Sequence, residues 1–315
     1  MKASSSTGTK QKEINSVIDD IGFGRFQVIA IILCGLVQAS DKMQVQYVSM
    51  LGQKLQCVWH IGDFWKSCVA SATFLGMFLG AYIWGPLGDR HCRRSVDAVC
   101  MGYVFVFGSL TSLAPNVLWV VLLRFLVGTA IGGTLPLTAA VLSEFMTTNC
   151  RGTAWFMFKA FWCVGGFVEI GLAWLLLEMT HGWRYLATIS AVPVLFLSLF
   201  WMIWLPVSPR QSLLQGRIED TRRALNKMAD TNSQPRYHGD FSAADLQTNG
   251  SGGSIADLLR PATFLRLSLQ LAVIAFAVGF GYYGLILLNV ELPLLLQERC
   301  QGASNQTAAF RSAEP

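Results

Sequence analysis

The sequence predicts an all-α membrane protein: a six-helix transmembrane bundle, a linker helix on one side of the membrane, and a seventh transmembrane helix. Three observations predict it. Hydrophobic residues make up 53% of the 315 residues and charged residues only 14%, with a mean hydropathy of +0.45, whereas a soluble domain carries roughly 25% charge. The apolar residues gather in runs that meet the length of about 20 residues needed to cross a bilayer. The basic residues gather in alternate connections between those runs, as they do on the cytoplasmic side of membrane proteins.

Residues 1–25 form a polar N-terminal segment carrying Lys2, Lys10, Lys12 and Arg25. The first span, Phe26–Met50, is apolar only as far as Val37; Gln38, Ser40, Asp41, Lys42, Gln44 and Gln46 follow. One polar face on a spanning helix suits the lining of a cavity. Val37-Gln38-Ala39 faintly resembles a signal-peptide cleavage site, but the long polar leader and the acidic pair Asp19–Asp20 argue against cleavage. Five further spans complete the bundle over residues 26–206: Lys66–Leu87, Val96–Leu113, Leu118–Leu142, Trp155–Leu177 and Leu186–Pro206.

Residues 207–263 are expected to form the linker. Ser208 and Pro209 suit the cap and first turn of a helix over about residues 208–229, with Leu213, Leu214, Ile218, Ala224, Leu225 and Met228 on one face. Residues 230–254 turn polar and Gly/Ser-rich, ending in Asn249-Gly250-Ser251-Gly252-Gly253, the composition of a flexible connection. The seventh span, Phe264–Val290, precedes a tail over residues 291–315.

Orientation follows from the connections. Arg90, Arg93 and Arg94 follow the second span, Arg151 the fourth, and Arg210, Arg217, Arg222, Arg223, Lys227 and Arg236 the sixth. All fall on the side of the N-terminus, which is therefore expected in the cytoplasm. The excess of 24 Lys and Arg over 19 Asp and Glu is thus a topology signal, with no nucleic acid implied as a partner. The expected location is the plasma membrane or an intracellular vesicle membrane.

Several motifs sit at span ends. Gly85-Pro86-Leu87-Gly88-Asp89-Arg90-His91-Cys92-Arg93-Arg94 joins the second and third spans, and Arg124-Phe125-Leu126-Val127-Gly128 opens a glycine-rich fourth span. Glu144 with Arg151-Gly152 follows that span, and Pro206-Val207-Ser208-Pro209-Arg210 closes the sixth. Together, in this order, they resemble the motifs of the major facilitator superfamily of transporters, over nearly the whole chain. Ile21-Gly22-Phe23-Gly24-Arg25-Phe26-Gln27, Asp41-Lys42-Met43-Gln44, Phe161-Trp162, Gly182-Trp183-Arg184 and Tyr282-Tyr283-Gly284-Leu285 are similar to the organic-ion and synaptic-vesicle-2-related branch, the SVOP-like proteins especially. Three residues depart from the patterns: Cys92 replaces a Gly, and Val207 and Gln44 stand where Glu is expected.

The resemblance implies two six-helix halves working by alternating access on a small organic solute, an organic cation among the possibilities, with a proton or cation as coupling ion. This sequence reaches Pro315 soon after the seventh span and looks like a truncated version of such a protein. A second function is therefore open: a membrane protein that transports nothing and binds itself or regulates full-length relatives.

Charges within spans are costly, so Asp41, Arg124, Lys159 and Glu169 are the residues expected to handle solute or coupling ion, with Gln44 beside them. The alternative for each is a buried ion pair that sets helix register. Gly85, Asp89, Arg90, Arg93, Arg94, Glu144, Arg151 and Arg210 form a candidate cytoplasmic gate of charge-assisted pairs. Gly76 with Gly80, and Gly128 with Gly132, have the small-xxx-small spacing that allows close helix packing.

Gly279, Gly281 and Gly284 offer a break in the seventh span. Asn305-Gln306-Thr307 is a candidate glycosylation site, and Cys57 could pair with Cys300. No enzyme motif is present, His60, His91, His181 and His238 are too scattered for a metal site, and no cofactor is expected.

Overall fold

The computed structural model describes residues 14–177, 179, 181–237, 239 and 264–286, and every regular element among them is a helix. Nine helices occupy one compact unit: α1 (Ile14–Ile21), α2 (Arg25–Trp59), α3 (Asp63–Arg90), α4 (Arg93–Thr111), α5 (Val117–Phe145), α6 (Arg151–Leu176), α7 (Gly182–Trp204), α8 (Pro209–Leu214) and α9 (Ile218–Thr231). A tenth, α10 (Phe264–Ile286), belongs to the second unit, residues 252–315.

Helices α2, α3, α5, α6, α7 and α10 are long and apolar enough to cross a membrane. Helix α4 corresponds to the third expected span. It has 19 residues and carries Arg93, Arg94 and Asp97 in its first two turns. It packs between α5 and α7, while α3 lies mainly on α5 and α2 mainly on α6.

The largest correction concerns the first span. It was expected to end at Met50, yet α2 continues to Trp59 through the whole polar run, 35 residues in all. The polar residues do not end the helix because Gln38, Asp41, Lys42, Gln44 and Gln46 are all buried among its neighbours rather than facing lipid. At its far end Tyr47, Leu51 and Leu55 enter an apolar cluster with Val69, Val120, Trp183 and Leu186.

The α3–α5 contact is backbone against backbone. A Cβ added at Gly76 would lie 2.2 Å from the Phe125 carbonyl oxygen, and one at Gly80 2.0 Å from that of Thr129. From the opposite side, Gly128 would meet Thr73 O at 2.1 Å and Gly132 Met77 O at 2.1 Å. In lipid, where helices gain no hydrophobic advantage from meeting, such closeness is what van der Waals association requires. Helices α2 and α6 use the same device at Gly165, whose added Cβ would come within 2.1 Å of Ala39 O.

The N-terminal segment and the linker differ from expectation. Residues 14–21 form an amphipathic helix whose Ile14, Val17, Ile18 and Ile21 are buried. The linker helix expected over 208–229 is two helices. Ser208 caps α8 by accepting from Gln211 N at 3.2 Å, with Pro209 at the first position. Gly216 then adopts φ +72°, its N–H donating to Leu213 O and Arg217 N to Ser212 O. This left-handed stop is one that glycine accepts without strain, and α9 restarts after it.

Asp230, where the flexible part was expected to begin, is still helical, and Arg236 grips it with bonds of 2.8 and 2.9 Å that hold its carboxyl below the usual range. Residues 240–263, the tail with Cys300 and Asn305, and the last residues of the seventh span lie outside the described residues.

Candidate functional site

Helix α2 supplies the centre of the site. Gln38, Asp41, Lys42, Gln44 and Gln46 lie within about two turns of it, Asp41 and Gln44 meeting α5 and Gln38 and Lys42 meeting α6. Thr134 of α5 donates to Asp41 Oδ2 at 2.7 Å. Lys42 Nζ donates to Gln46 Oε1 at 2.9 Å and lies 5.7 Å from the centre of the Trp162 ring on α6. Gln44 Oε1 accepts from Arg124 Nη1 at 3.1 Å. Lys159 Nζ reaches Gln38 Oε1 at 3.5 Å and sits over the Phe158 ring.

Arg124 is wholly buried on α5, its guanidinium 4.6 Å from the centre of the Tyr47 ring. The Tyr47 hydroxyl is itself fixed, donating to the Trp183 carbonyl at 2.9 Å. Glu169 of α6 is also wholly buried, within electrostatic reach of Arg124, and accepts from Ser190 of α7 at 2.7 Å. Arg124, Gln44, Tyr47 and Glu169 thus converge from three helices, α5, α2 and α6, whereas Lys159 lies within electrostatic reach of Asp41.

Among the described residues, none of Asp41, Arg124, Lys159 and Glu169 forms an ion pair. Each is held by a neutral hydrogen-bonding group instead. That arrangement leaves atoms over: Gln38 Nε2, Gln44 Nε2, Arg124 Nε and Nη2, and Glu169 Oε1 are buried with no partner. An unpaired buried polar atom costs about 1–3 kcal/mol, so each of these atoms calls for a partner. The group offers unpaired donors and an unpaired acceptor together.

Sequence reasoning passed over Asp97. It is fully buried on α4, and its Oδ2 accepts from Thr138 of α5 at 2.9 Å. It falls within the expected third span, Val96–Leu113, and a charge inside a span was the signal that was available. Among the described residues no group of three or more His, Cys, Asp or Glu could hold a metal ion.

At the end of the bundle bearing α8 and α9, the charged motifs separate into groups. Arg93 pairs with Asp89 at 2.6 Å and with Glu144, whose side chain is buried. Arg210 binds Asn15 of α1 and lies within reach of Glu144. Arg94 instead donates to the Met202 carbonyl, and Trp201 Nε1 donates back to Arg94 O at 3.1 Å. Arg90 and Arg151 form no ion pair among the described residues, and Gly85 faces open space. The eight residues grouped in the sequence are therefore not one cluster: Asp89, Arg93, Glu144 and Arg210 come together, and Arg94 ties α4 to α7.

Two amides missed in the sequence tie α8 and the end of α9 to this end of the bundle. Gln211 of α8 accepts from Arg93 N at 3.0 Å and donates to Gly88 O at 2.9 Å and to His91 O. Asn232, just after α9, accepts from Phe26 N at 2.9 Å and donates to Gln27 Oε1 at 2.8 Å, capping α2. Lys227 of α9 donates to the Trp204 carbonyl; burial first, and the Arg94 charge second, push its ammonium below the usual lysine value. Replacing Gln211 by leucine strands three main-chain groups. The expected loss is about 1–3 kcal/mol, the cost of the one fully buried group among them, Gly88 O, and thermal unfolding of the purified chain in detergent measures it.

Residues 25–285 match the family described as Sugar (and other) transporter. The chain belongs to that family, within the major facilitator superfamily. It is 32% identical over 319 residues to the Organic cation/carnitine transporter 7 of Arabidopsis thaliana, covering 90% of this chain and 63% of that protein. It is 32% identical over 279 residues to the Synaptic vesicle 2-related protein of Xenopus laevis, covering 89% of this chain and 50% of that one. The chain thus spans between half and two thirds of the length of these relatives.

The fold agrees. A partially occluded, inward-open structure of the xylose transporter XylE from E. coli superposes with a TM-score of 0.59 at 16% identity, over 66% of this chain and 56% of the other. A bacterial homolog of the human lysosomal transporter Spinster gives 0.54 at 18% identity, over 85% of this chain and 56% of the other. This family member is a multi-pass membrane protein with the fold of the superfamily, and its relatives are transporters, not enzymes.

Proposed function

We propose that this chain acts as the N-terminal half of a secondary carrier that moves a small organic solute, an organic cation, across a membrane by alternating access. The observation that carries the reading is the buried belt of unpaired polar atoms around α2, with Arg124, Gln44 and Glu169 at its centre. A purely structural core would have closed those bonds internally. The names of the relatives supply the solute class, and the two carboxylates Asp41 and Glu169 supply the complementary charge. In this reading the end carrying Asp89, Arg93, Glu144 and Arg210 faces the cytoplasm, following the basic connections, and its pairs break when that side opens.

The test is saturable uptake into vesicles reconstituted with the purified chain, across a panel of organic cations, organic anions and sugars. Asp41→Asn and Glu169→Gln remove one charge each. A hydrogen bond to a charged group is worth about 1.5–3 kcal/mol, so each variant is expected to lower uptake by roughly 10–150-fold. A folded wild-type chain that neither binds nor moves any member of the panel rejects the carrier reading and favours a partner that binds full-length relatives.

A further inference from the structure

We propose that the groove between α2 and α7 holds one acyl chain of an anionic phospholipid, whose phosphodiester sits at Lys227 and Arg94. The proposal is independent of the carrier reading and applies whether or not the chain moves a solute. Ile29, Ile32 and Leu36 of α2 and Phe196, Leu197 and Phe200 of α7 line a groove of about 230 Å³, with no polar side chain in its wall. It opens outward: Ile32 is 43% exposed, Phe200 47% and Phe196 65%.

Aromatic rings close one end of it. Phe26 and Trp204, about one turn beyond Ile29 and Phe200, stack on each other at 5.1 Å, and Phe200 stacks on Trp204 at 6.5 Å. Lys227 of α9 stands over the Trp204 ring at 5.6 Å and donates to the Trp204 carbonyl. Arg94 of α4 donates to the Met202 carbonyl in the same turn of α7. Burial, and then the Arg94 charge, lower the Lys227 ammonium, so the two cations are near enough to repel.

The carbonyls at the end of α7 offset part of that repulsion. No carboxylate offsets the rest. Among the described residues neither cation forms an ion pair, and Arg94 Nε is buried without a partner. Asp230, the nearest acid along α9, is taken by Arg236. A phosphodiester supplies the negative charge, in the form that arginine and lysine bind.

The apolar wall selects a lipid chain over another helix. Where helices of this chain meet closely they do so at glycines, as at Gly76, Gly128 and Gly165. This groove is walled by large branched and aromatic side chains, which keep a helix backbone away but admit a flexible chain. In the orientation expected from the basic connections, its closed end meets the cytoplasmic leaflet, where anionic lipids lie.

The experiment is photolabelling of the purified chain in phosphatidylcholine vesicles carrying a trace of phosphatidylglycerol with a diazirine on its acyl chain. A phosphatidylcholine probe with the same chain is the comparison. Peptide mass spectrometry is expected to place the phosphatidylglycerol label on the α2 and α7 segments that wall the groove, above the rest of the exposed apolar surface. Unlabelled phosphatidylglycerol is expected to compete, and inorganic phosphate is not. One basic residue at a membrane surface is worth a factor of roughly five, so Lys227→Gln is expected to cut the preference over phosphatidylcholine by that factor. Ile32→Trp fills the groove and is expected to remove the label there alone.

Even labelling of all helices, equal labelling by the two probes, or a preference unmoved by Lys227→Gln overturns the proposal. Displacement by inorganic phosphate leaves a free-anion site, and unlabelled groove peptides in a chain that gel filtration shows as a dimer assign the groove to a second copy. Either result overturns the lipid. Circular dichroism checks that each variant folds. Where Lys227→Gln does not, Ile32→Trp decides, and an undiminished label in the groove overturns the proposal.

Discussion

Replacing Gly132 by alanine is expected to abolish most of the folded chain, while Gly102→Ala and Gly171→Ala leave it unharmed. On helix propensity alone each change should gain about 1 kcal/mol. At Gly102 and Gly171 an added Cβ meets nothing within 4 Å, so that gain is realised. At Gly132 the Cβ arrives 2.1 Å from the Met77 carbonyl oxygen. The obstacle is main chain, with no rotamer to escape into.

Relief requires α3 and α5 to separate by about an ångström, and the same interface is set by Gly76, Gly80 and Gly128. Overpacking of well-fitted interiors costs about 1–3 kcal/mol even where side chains give way, so a rigid backbone contact belongs at or above the top of that range. Fluorescence-detected gel filtration after heating in detergent ranks the three variants. Equal thermal survival of Gly132→Ala and Gly102→Ala contradicts the packing described.

The second large effect is expected at Arg124→Lys, a change that keeps the charge. Arg124 uses its planar group twice, donating from Nη1 to Gln44 at 3.1 Å and lying over Tyr47 at 4.6 Å. An ammonium offers neither the fork nor the flat face. A desolvated cation–π contact is worth about 2 kcal/mol and a charge-assisted bond about 1.5–3 kcal/mol. Solute uptake is therefore expected to fall at least roughly 30-fold, with the purified variant still folded. Near-wild-type uptake with lysine reduces Arg124 to a plain counter-charge for Glu169.

Gln44 shows how far sequence reasoning reached. Its departure from Glu was visible, and the consequence was not. In the structure the amide oxygen still accepts from Arg124, so the partner survives although the negative charge is gone. Val207 is the parallel case at the other end: Glu144 alone brings a buried carboxylate to Arg93, with Asp89 completing the pair from outside.

The buried amides Gln211 and Asn232 were illegible, because an amide in a polar linker carries no periodic signal and acquires its role from carbonyls more than a hundred residues away. Helix α1 was legible and overlooked, since Ile14, Val17, Ile18 and Ile21 have helical spacing. The break at Gly216 was overlooked too, because the apolar stripe runs on across it.

Composition and spacing alone were enough for the class of the protein: its apolar helices of membrane-crossing length, the side on which the basic connections gather, and the small residues that face one another on α3 and α5. Those properties depend on local composition and on the 3.6-residue repeat, which a linear chain displays. Which polar groups meet depends on how the helices dock. Asp41 lies with Thr134, Asp97 with Thr138, Arg124 with Gln44 and Tyr47, and Arg94 with the end of α7 rather than with Glu144. Pairings of that kind are set by the packing angle and depth of helices distant in sequence, and hydrogen bonds with a reach of about 3 Å are selected only once those helices have docked.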